Sequence, residues 1–170
     1  MLKAATSMTG AAGEHLVMSR LLARGFIAAL APQGAPNLDV VVSYLDGSRL
    51  GSIQVKTRWD KGADGGWHMG KKHEKISHPR MFYTFVDLGK TPEALARVYV
   101  VPSAVVANVI KRSHETWLSQ PGKNGHVRKD SNMRRFMPNY SSIFGSNSPF
   151  KLGWLDEFYE AWDLLKEETA

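Results

Sequence analysis

The chain has 170 residues, 43% hydrophobic and 22% charged, enough for one well-buried α/β domain and too short for two. It has no cysteine, which excludes disulfides, thiolate metal sites and a cysteine nucleophile and suits a cytoplasmic setting. A formal net charge of +6 favours a polyanionic partner, most simply nucleic acid held through its phosphates; neither a signal peptide nor a membrane span is expected.

In chain order, residues Thr9 to Arg24 read as a helix: Val17/Leu21 and Met18/Leu22 are i,i+4 pairs, and Gly25 suits the position just past its end. Glu14 precedes Val17, Met18 and Leu21 at helical spacing, so it shares their inward stripe. A carboxylate there either answers the helix dipole at the edge of the core or points into a site. Phe26–Ala31 is a short apolar run, taken as a first strand that ends at the Pro32–Pro36 loop.

Two β-branched runs follow, Leu38–Leu45 and Leu50–Thr57, joined by Asp46-Gly47, and they predict a hairpin. With Asp46 and Gly47 as the central turn residues, Asp39 falls opposite Gln54. Lys56 shares that face because side chains repeat every second residue. An acid, an amide and an ammonium on an otherwise apolar sheet must be compensated. A divalent cation would do so; an Asp39–Lys56 ion pair or a solvated face would do so equally.

Composition then changes. Residues Trp59–Pro79 are rich in Gly, His and Lys and read as a loop with a short helix near Lys71–Ile76. Within it Trp67, Lys71, Lys72 and His73 alternate basic and aromatic character, which suits phosphate contact and base stacking. The five-residue spacing of His68, His73 and His78 argues against zinc. Met81–Leu88 and Arg97–Val101 read as two further strands. Pro102-Ser103 opens a helix with Ser103 as N-cap, carrying Val105, Val106, Val109 and Ile110 toward Trp117. Gln120–Tyr140 is a polar, irregular stretch in which Arg128, Lys129, Arg134 and Arg135 either clamp a nucleic-acid backbone or form a solvated surface. A last helix is expected over Trp154–Lys166, with Trp154, Phe158 and Trp162 in an i,i+4 stripe that packs on its own domain or contacts a second copy in a homodimer.

Gly13-Glu14 on the first helix, Asn37-Leu38-Asp39 entering a strand and Gln54-Val55-Lys56 on the next resemble the PD-(D/E)XK nuclease superfamily. The chain departs from that pattern twice: Pro36 is not adjacent to Asp39, and Gln54 replaces the usual second acid, giving a Q-x-K form. The resemblance implies a restriction-endonuclease-like α/β fold, a mixed central sheet of about five strands flanked by helices in the order α-β-β-β-(α)-β-β-α. It implies one nuclease-like domain over residues 1–170, its C-terminal part from about residue 120 packed as an extension. It also implies Mg²⁺, with Mn²⁺ as substitute, held by Asp39, the Gln54 side-chain oxygen, the Val55 carbonyl and Glu14. Lys56 would orient or deprotonate the attacking water, so that Lys56, Asp39, Gln54 and Glu14 form the catalytic set. The expected activity is hydrolysis of nucleic acid, DNA before RNA. Two other readings stand beside it: a nucleic-acid-binding module of the same fold with weak metal affinity, and a scaffold docking through its Trp-rich terminal helix.

Overall fold

The opening periodic stretch folds as α1 (Thr6–Leu22), in which Val17 and Leu21 are fully buried. The structure, a computed structural model, describes residues 6–48, 51–60 and 65–166. Gly25, at φ +80°, reverses the chain after the helix, a conformation that costs little without a Cβ. The chain then enters β1 (Ile27–Leu30), β2 (Val40–Ser43) and β3 (Gly51–Arg58), an antiparallel meander. After β4 (Trp67–Gly70), the main sheet resumes with β5 (Met81–Asp87), parallel to β3, and β6 (Arg97–Pro102), antiparallel to β5. The result is one mixed sheet in the order β1-β2-β3-β5-β6.

The hairpin register is the expected one, with Val40 opposite Ile53 and Val41 opposite Ser52. The turn itself closes one residue earlier than expected. The Gly47 amide donates to the Tyr44 carbonyl at 3.0 Å, which makes Leu45 and Asp46 the central pair and puts Gly47 at φ +76°. Asp46 explains the choice, since its carboxylate accepts from both the amide and the hydroxyl of Ser48. Leu50, expected at the start of the second run, lies outside the described residues.

Each face of the sheet carries its own core. On one, α1 lays Val17 and Leu21 on Val40, Val42, Ile53 and Val55, joined by Phe82, Val86, Val98 and Val100. On the other, Tyr83, Phe85 and Val101 meet Val106, Val109 and Ile110 of α2 (Ser103–Ser119). That second face is closed by two elements that replace the expected loops. Strand β4 and β7 (Met133–Phe136) pair antiparallel as a small separate sheet, delivering Trp67 and Phe136 to the core, where Phe136 stacks on Phe85 at 3.9 Å. Both strands have only four residues, too short for their alternation to stand out from a Gly-rich or Arg-rich background.

Two further expectations need correction. Ser103 is the first residue of α2 but does not cap it: its hydroxyl bridges the amide and carbonyl of His78 and ties the 75–80 segment to the helix. Residues 154–166 are not an α-helix. After α3 (Ser141–Phe144) they form separate 3₁₀ turns, Asp156–Phe158 and Trp162–Leu165, broken by Glu160 at φ 49°. The physical reason is that the aromatic residues serve opposite faces. Trp154 and Phe158 pack with the α2 core, and Trp162 packs with the α1 core, after the chain has crossed the edge of β6 through a Tyr99–Tyr159 bridge and a Glu160 amide bond to Val98 O. No straight helix reaches both, and the stripe packs into the chain's own two cores. No helix among the described residues is long and apolar enough to cross a membrane.

Gly13 sets the closeness of α1 to the sheet. A Cβ there would sit 1.9 Å from Thr57 Oγ1 and 2.9 Å from Thr57 Cβ. Gly13→Ala should therefore destabilise the fold by about 1–3 kcal/mol despite the better helix propensity of Ala. Adding Thr57→Ala should recover part of the loss in thermal unfolding. A single variant at least as stable as the parent would show that the helix can retreat at no cost.

Candidate active site

Strand β2 stops pairing with β3 at Val40, whereas β3 continues to Arg58 against β5 alone. Beyond Ile53, no strand among the described residues pairs with that edge of β3. Asp39 stands at this fork. Its amide donates to Ile53 O at 2.9 Å, and its Oδ2 accepts from the Val55 amide at 2.7 Å, so a side chain continues where the ladder ends. A strand residue sends its N–H and C=O to the same side, and the Val55 carbonyl accordingly faces the same edge.

Gln54 and Lys56 flank Val55 and share the opposite sheet face from Ile53 and Val55. Gln54 is 7% exposed, and its Oε1 is buried with no hydrogen-bond partner among the described residues. A buried amide oxygen left empty is costly unless something positive meets it. Lys56 is half-buried; burial pushes its amine below the usual lysine range, Lys72 adds to that, and Asp39 pulls the other way. Glu14 approaches from α1, which Gly13 allows to lie close to Thr57. Burial, and then repulsion from Asp39, raise its carboxyl above the ordinary value, with His15 opposing. Each shift records a neighbour: Glu14 feels Asp39, and Lys56 feels Asp39 and Lys72.

Behind Lys56 lies a pair that was not foreseen. His73 Nδ1 is 2.7 Å from the Tyr83 hydroxyl, and Tyr83 neighbours Gln54 across the parallel β3–β5 pairing. Burial, then Lys56 and Lys72, drive His73 down to about 4, so it is neutral at pH 7; burial pushes the Tyr83 phenol up. The parallel register that brings Tyr83 beside Gln54 depends on a crossover, and short-range spacing carries no signal for it.

Glu14, Asp39, the Gln54 oxygen and the Val55 carbonyl are hard oxygen donors of the kind Mg²⁺ takes. Among the described residues no three His, Cys, Asp or Glu side chains gather closely enough to hold an ion. A cation here would need the neutral oxygens, and the unpartnered Gln54 Oε1 fits that requirement.

The residues expected to meet nucleic acid divide in two. Lys72 and Lys129 are exposed. Lys71 is exposed but paired with Asp130 at 2.6 Å, Arg128 lies over the Trp117 ring and donates to the Trp117 carbonyl, and Arg135 is half-buried on β7. Trp67, His73 and Arg134 are inside. Trp67 is 2% exposed, with Arg58 over its ring and its indole N–H on Val86 O, so no base can stack on it. Arg134 is 3% exposed and held by Glu74 and Asp130, which leaves its guanidinium committed within the protein. The alternation of basic and aromatic residues that suggested a binding loop is the in-out pattern of β4 followed by a 3₁₀ turn.

No family model and no curated protein matches the sequence. Among solved structures, a bacterial homing endonuclease superposes over 98% of this chain and 95% of its own, at 17% identity and a TM-score of 0.55. A Holliday junction resolvase from Archaeoglobus fulgidus (14% identity, 75% of this chain and 83% of that one, TM-score 0.40) and a restriction endonuclease in complex with substrate DNA (16%, 87% and 70%, TM-score 0.42) also align. At these identities the likeness is one of fold. The five-stranded mixed sheet flanked by helices is a restriction-endonuclease-like core.

The raised Glu14 carboxyl has a consequence for stability. The native state holds that proton more tightly than the unfolded chain does, so ionising Glu14 above its folded pKa costs stability. Glu14→Gln should raise the melting temperature at pH 7 by about 1–2 °C, a small gain because water screens a half-buried carboxylate. The gain should vanish as pH falls to where Glu14 is protonated in both states. A lower melting temperature at pH 7 would show that the ionised Glu14 carboxylate is on balance stabilised in the native state.

Proposed function

We propose that the chain is a metal-dependent nuclease of the PD-(D/E)XK type in a Q-x-K form, hydrolysing phosphodiester bonds of nucleic acid, DNA before RNA. The observation that carries this reading is that Asp39, at the end of a strand ladder, is close enough to Glu14 and to Lys56 to shift both, while Gln54, on the same sheet face as Lys56, holds a buried oxygen with no partner among the described residues. The likeness of its fold to that of the homing endonuclease supports it.

Asp39, Gln54 Oε1 and the Val55 carbonyl would hold Mg²⁺, or Mn²⁺ in its place, with Glu14 as a further oxygen. The ion supplies Lewis-acid polarisation of the phosphoryl oxygen when bound. Asp39 is held in place through Oδ2 by its bond to the Val55 amide, and its other oxygen takes no part in that bond. Lys56, its amine depressed by burial, can release or share a proton more readily than a solvated lysine. It would orient or deprotonate the attacking water and offset charge growing on the phosphorus oxygens. Lys72, exposed beside Lys56, would meet the phosphate from outside, and neutral His73, fixed on Tyr83, would add no competing charge. The net charge of +6 suits a phosphate backbone as partner, and a cytoplasmic location agrees with the absence of cysteine.

The second reading, a nucleic-acid-binding module with weak metal affinity, has one observation in its favour. Gln54 lacks the negative charge of a second acid, so fewer charges hold the ion. One experiment separates the two. Plasmid, linear, branched and single-stranded substrates are incubated with Mg²⁺ or Mn²⁺ and the parent, Asp39→Ala and Lys56→Ala chains. Metal-stimulated cutting should fall about 100-fold or more in each variant. Cutting that survives both substitutions refutes the site, and salt-dependent retention with no cutting favours the binding module.

A further inference from the structure

A cavity of about 460 Å³ opens between α2, β7 and α3, apart from the site around Asp39. Its volume lies in the range of small-molecule sites. Ile110, Met137 and Ile143 give it an apolar wall. Trp117 gives it an aromatic one, with His114 stacked near parallel at 5.5 Å and Arg128 at 4.6 Å from the ring. Two hydrogen-bonding groups on the lining are uncommitted among the described residues. The Trp117 indole N–H makes no hydrogen bond, and Gln120 donates its amide nitrogen to Ile143 O at 2.6 Å, leaving its Oε1 to accept. A flat apolar body edged by alternating donors and acceptors matches such a lining, and a nucleobase has that form.

The cavity is joined to the candidate active site by one short segment, the 3₁₀ turn Lys71–Glu74. Lys71 and Glu74 hold the cavity side: Lys71 bonds Asp130, which also receives His114 at 2.8 Å, and Glu74 holds Arg134, a residue of the cavity wall. Lys72 and His73, between them in sequence, serve the other side, His73 through its bond to Tyr83 beside Gln54. Lys72 therefore adjoins Lys71, whose partner Asp130 also holds His114 and Arg134 of the cavity wall.

From this arrangement we propose that the α2–β7–α3 cavity is a nucleobase-binding site, filled by a base of the bound strand turned out of its stack. The inference rests on nucleic acid being the partner, as proposed above, and specifies how that partner is held. Turning a base out is least costly where it is mismatched or already single-stranded, so the cavity would favour such substrates.

The test uses the full chain without divalent ion. Each of the four deoxynucleoside monophosphates is titrated by ligand-observed NMR, and retention of a single-stranded oligonucleotide is measured in parallel. At least one mononucleotide should bind saturably below about 10 mM, the weak range proper to a fragment of the ligand. Ser142→Trp and Met133→Trp each place a large side chain on the cavity lining from an exposed position, so the core is left intact. Both should weaken mononucleotide binding about tenfold or more and oligonucleotide retention with it. No saturable binding, affinity that both filled variants retain, or loss confined to free mononucleotide while the oligonucleotide is held as before would each overturn the proposal. The cleavage assay reports separately on the nuclease reading: a chain that cuts but binds no base in the cavity keeps that reading and loses this one.

Discussion

The site depends on one side-chain hydrogen bond, from the Val55 amide to Asp39 Oδ2, made where a backbone ladder gives out. Strand β2 pairs with β3 as far as Val40 and Ile53, and had it continued, the Val55 amide and carbonyl would have been consumed by a neighbouring strand. Because Asp39 stands immediately before β2 begins, the amide is satisfied by a carboxylate, the carbonyl is left on the unpaired side, and an acid is fixed beside both. The same fork lets Glu14 of α1 approach Asp39 from the other layer, with Gly13 setting the distance. Repulsion between the two acids and burial of Lys56 and Gln54 are local costs, and the fold carries them on two well-packed faces of the sheet.

How much of this was legible in the sequence follows from the range of the interactions involved. The meander and its register were readable, because alternation along Val40–Ser43 and Gly51–Arg58 and an Asp-Gly turn act between residues close in the chain. The placing of Asp39, Gln54 and Lys56 on one face of the sheet follows from that register. Glu14 was readable in part: helical spacing put it on the inward stripe, and only the structure shows that stripe abutting the fork. Tyr83 and His73 were not readable, because a parallel pairing and a buried 3₁₀ turn bring them together from separate segments. The basic residues misled for a related reason. Arg134 looks like a solvent-facing cation in a polar run, yet it is consumed by Asp130, four residues before it, and by Glu74, which arrives from the distant segment after β4. The terminal aromatic stripe misled because i,i+4 spacing is also what a segment of separate turns shows when it feeds two cores in succession.

The turn Lys71–Glu74 gives the molecule its second level of organisation. Its outer residues, Lys71 and Glu74, serve the α2–β7–α3 cavity and its inner ones, Lys72 and His73, the Asp39 fork, and the turn is packed under α2. A ligand that moved this turn would be felt at both places. Asp130 concentrates that coupling, since it gathers Lys71, His114 and Arg134 on one carboxylate and is thereby held well below the usual carboxylate range, its bonds to Lys71 and His114 being the main causes.

The central claim is that the fork at Asp39 cages a divalent cation, and the most direct measurement is equilibrium Mn²⁺ binding followed by electron paramagnetic resonance of the free ion. The account predicts about one saturable site per chain, abolished by Asp39→Ala and weakened by Gln54→Leu, which removes the amide oxygen and keeps the bulk. Saturable binding that Asp39→Ala leaves unchanged, or no saturable binding at all in the parent chain, would contradict it.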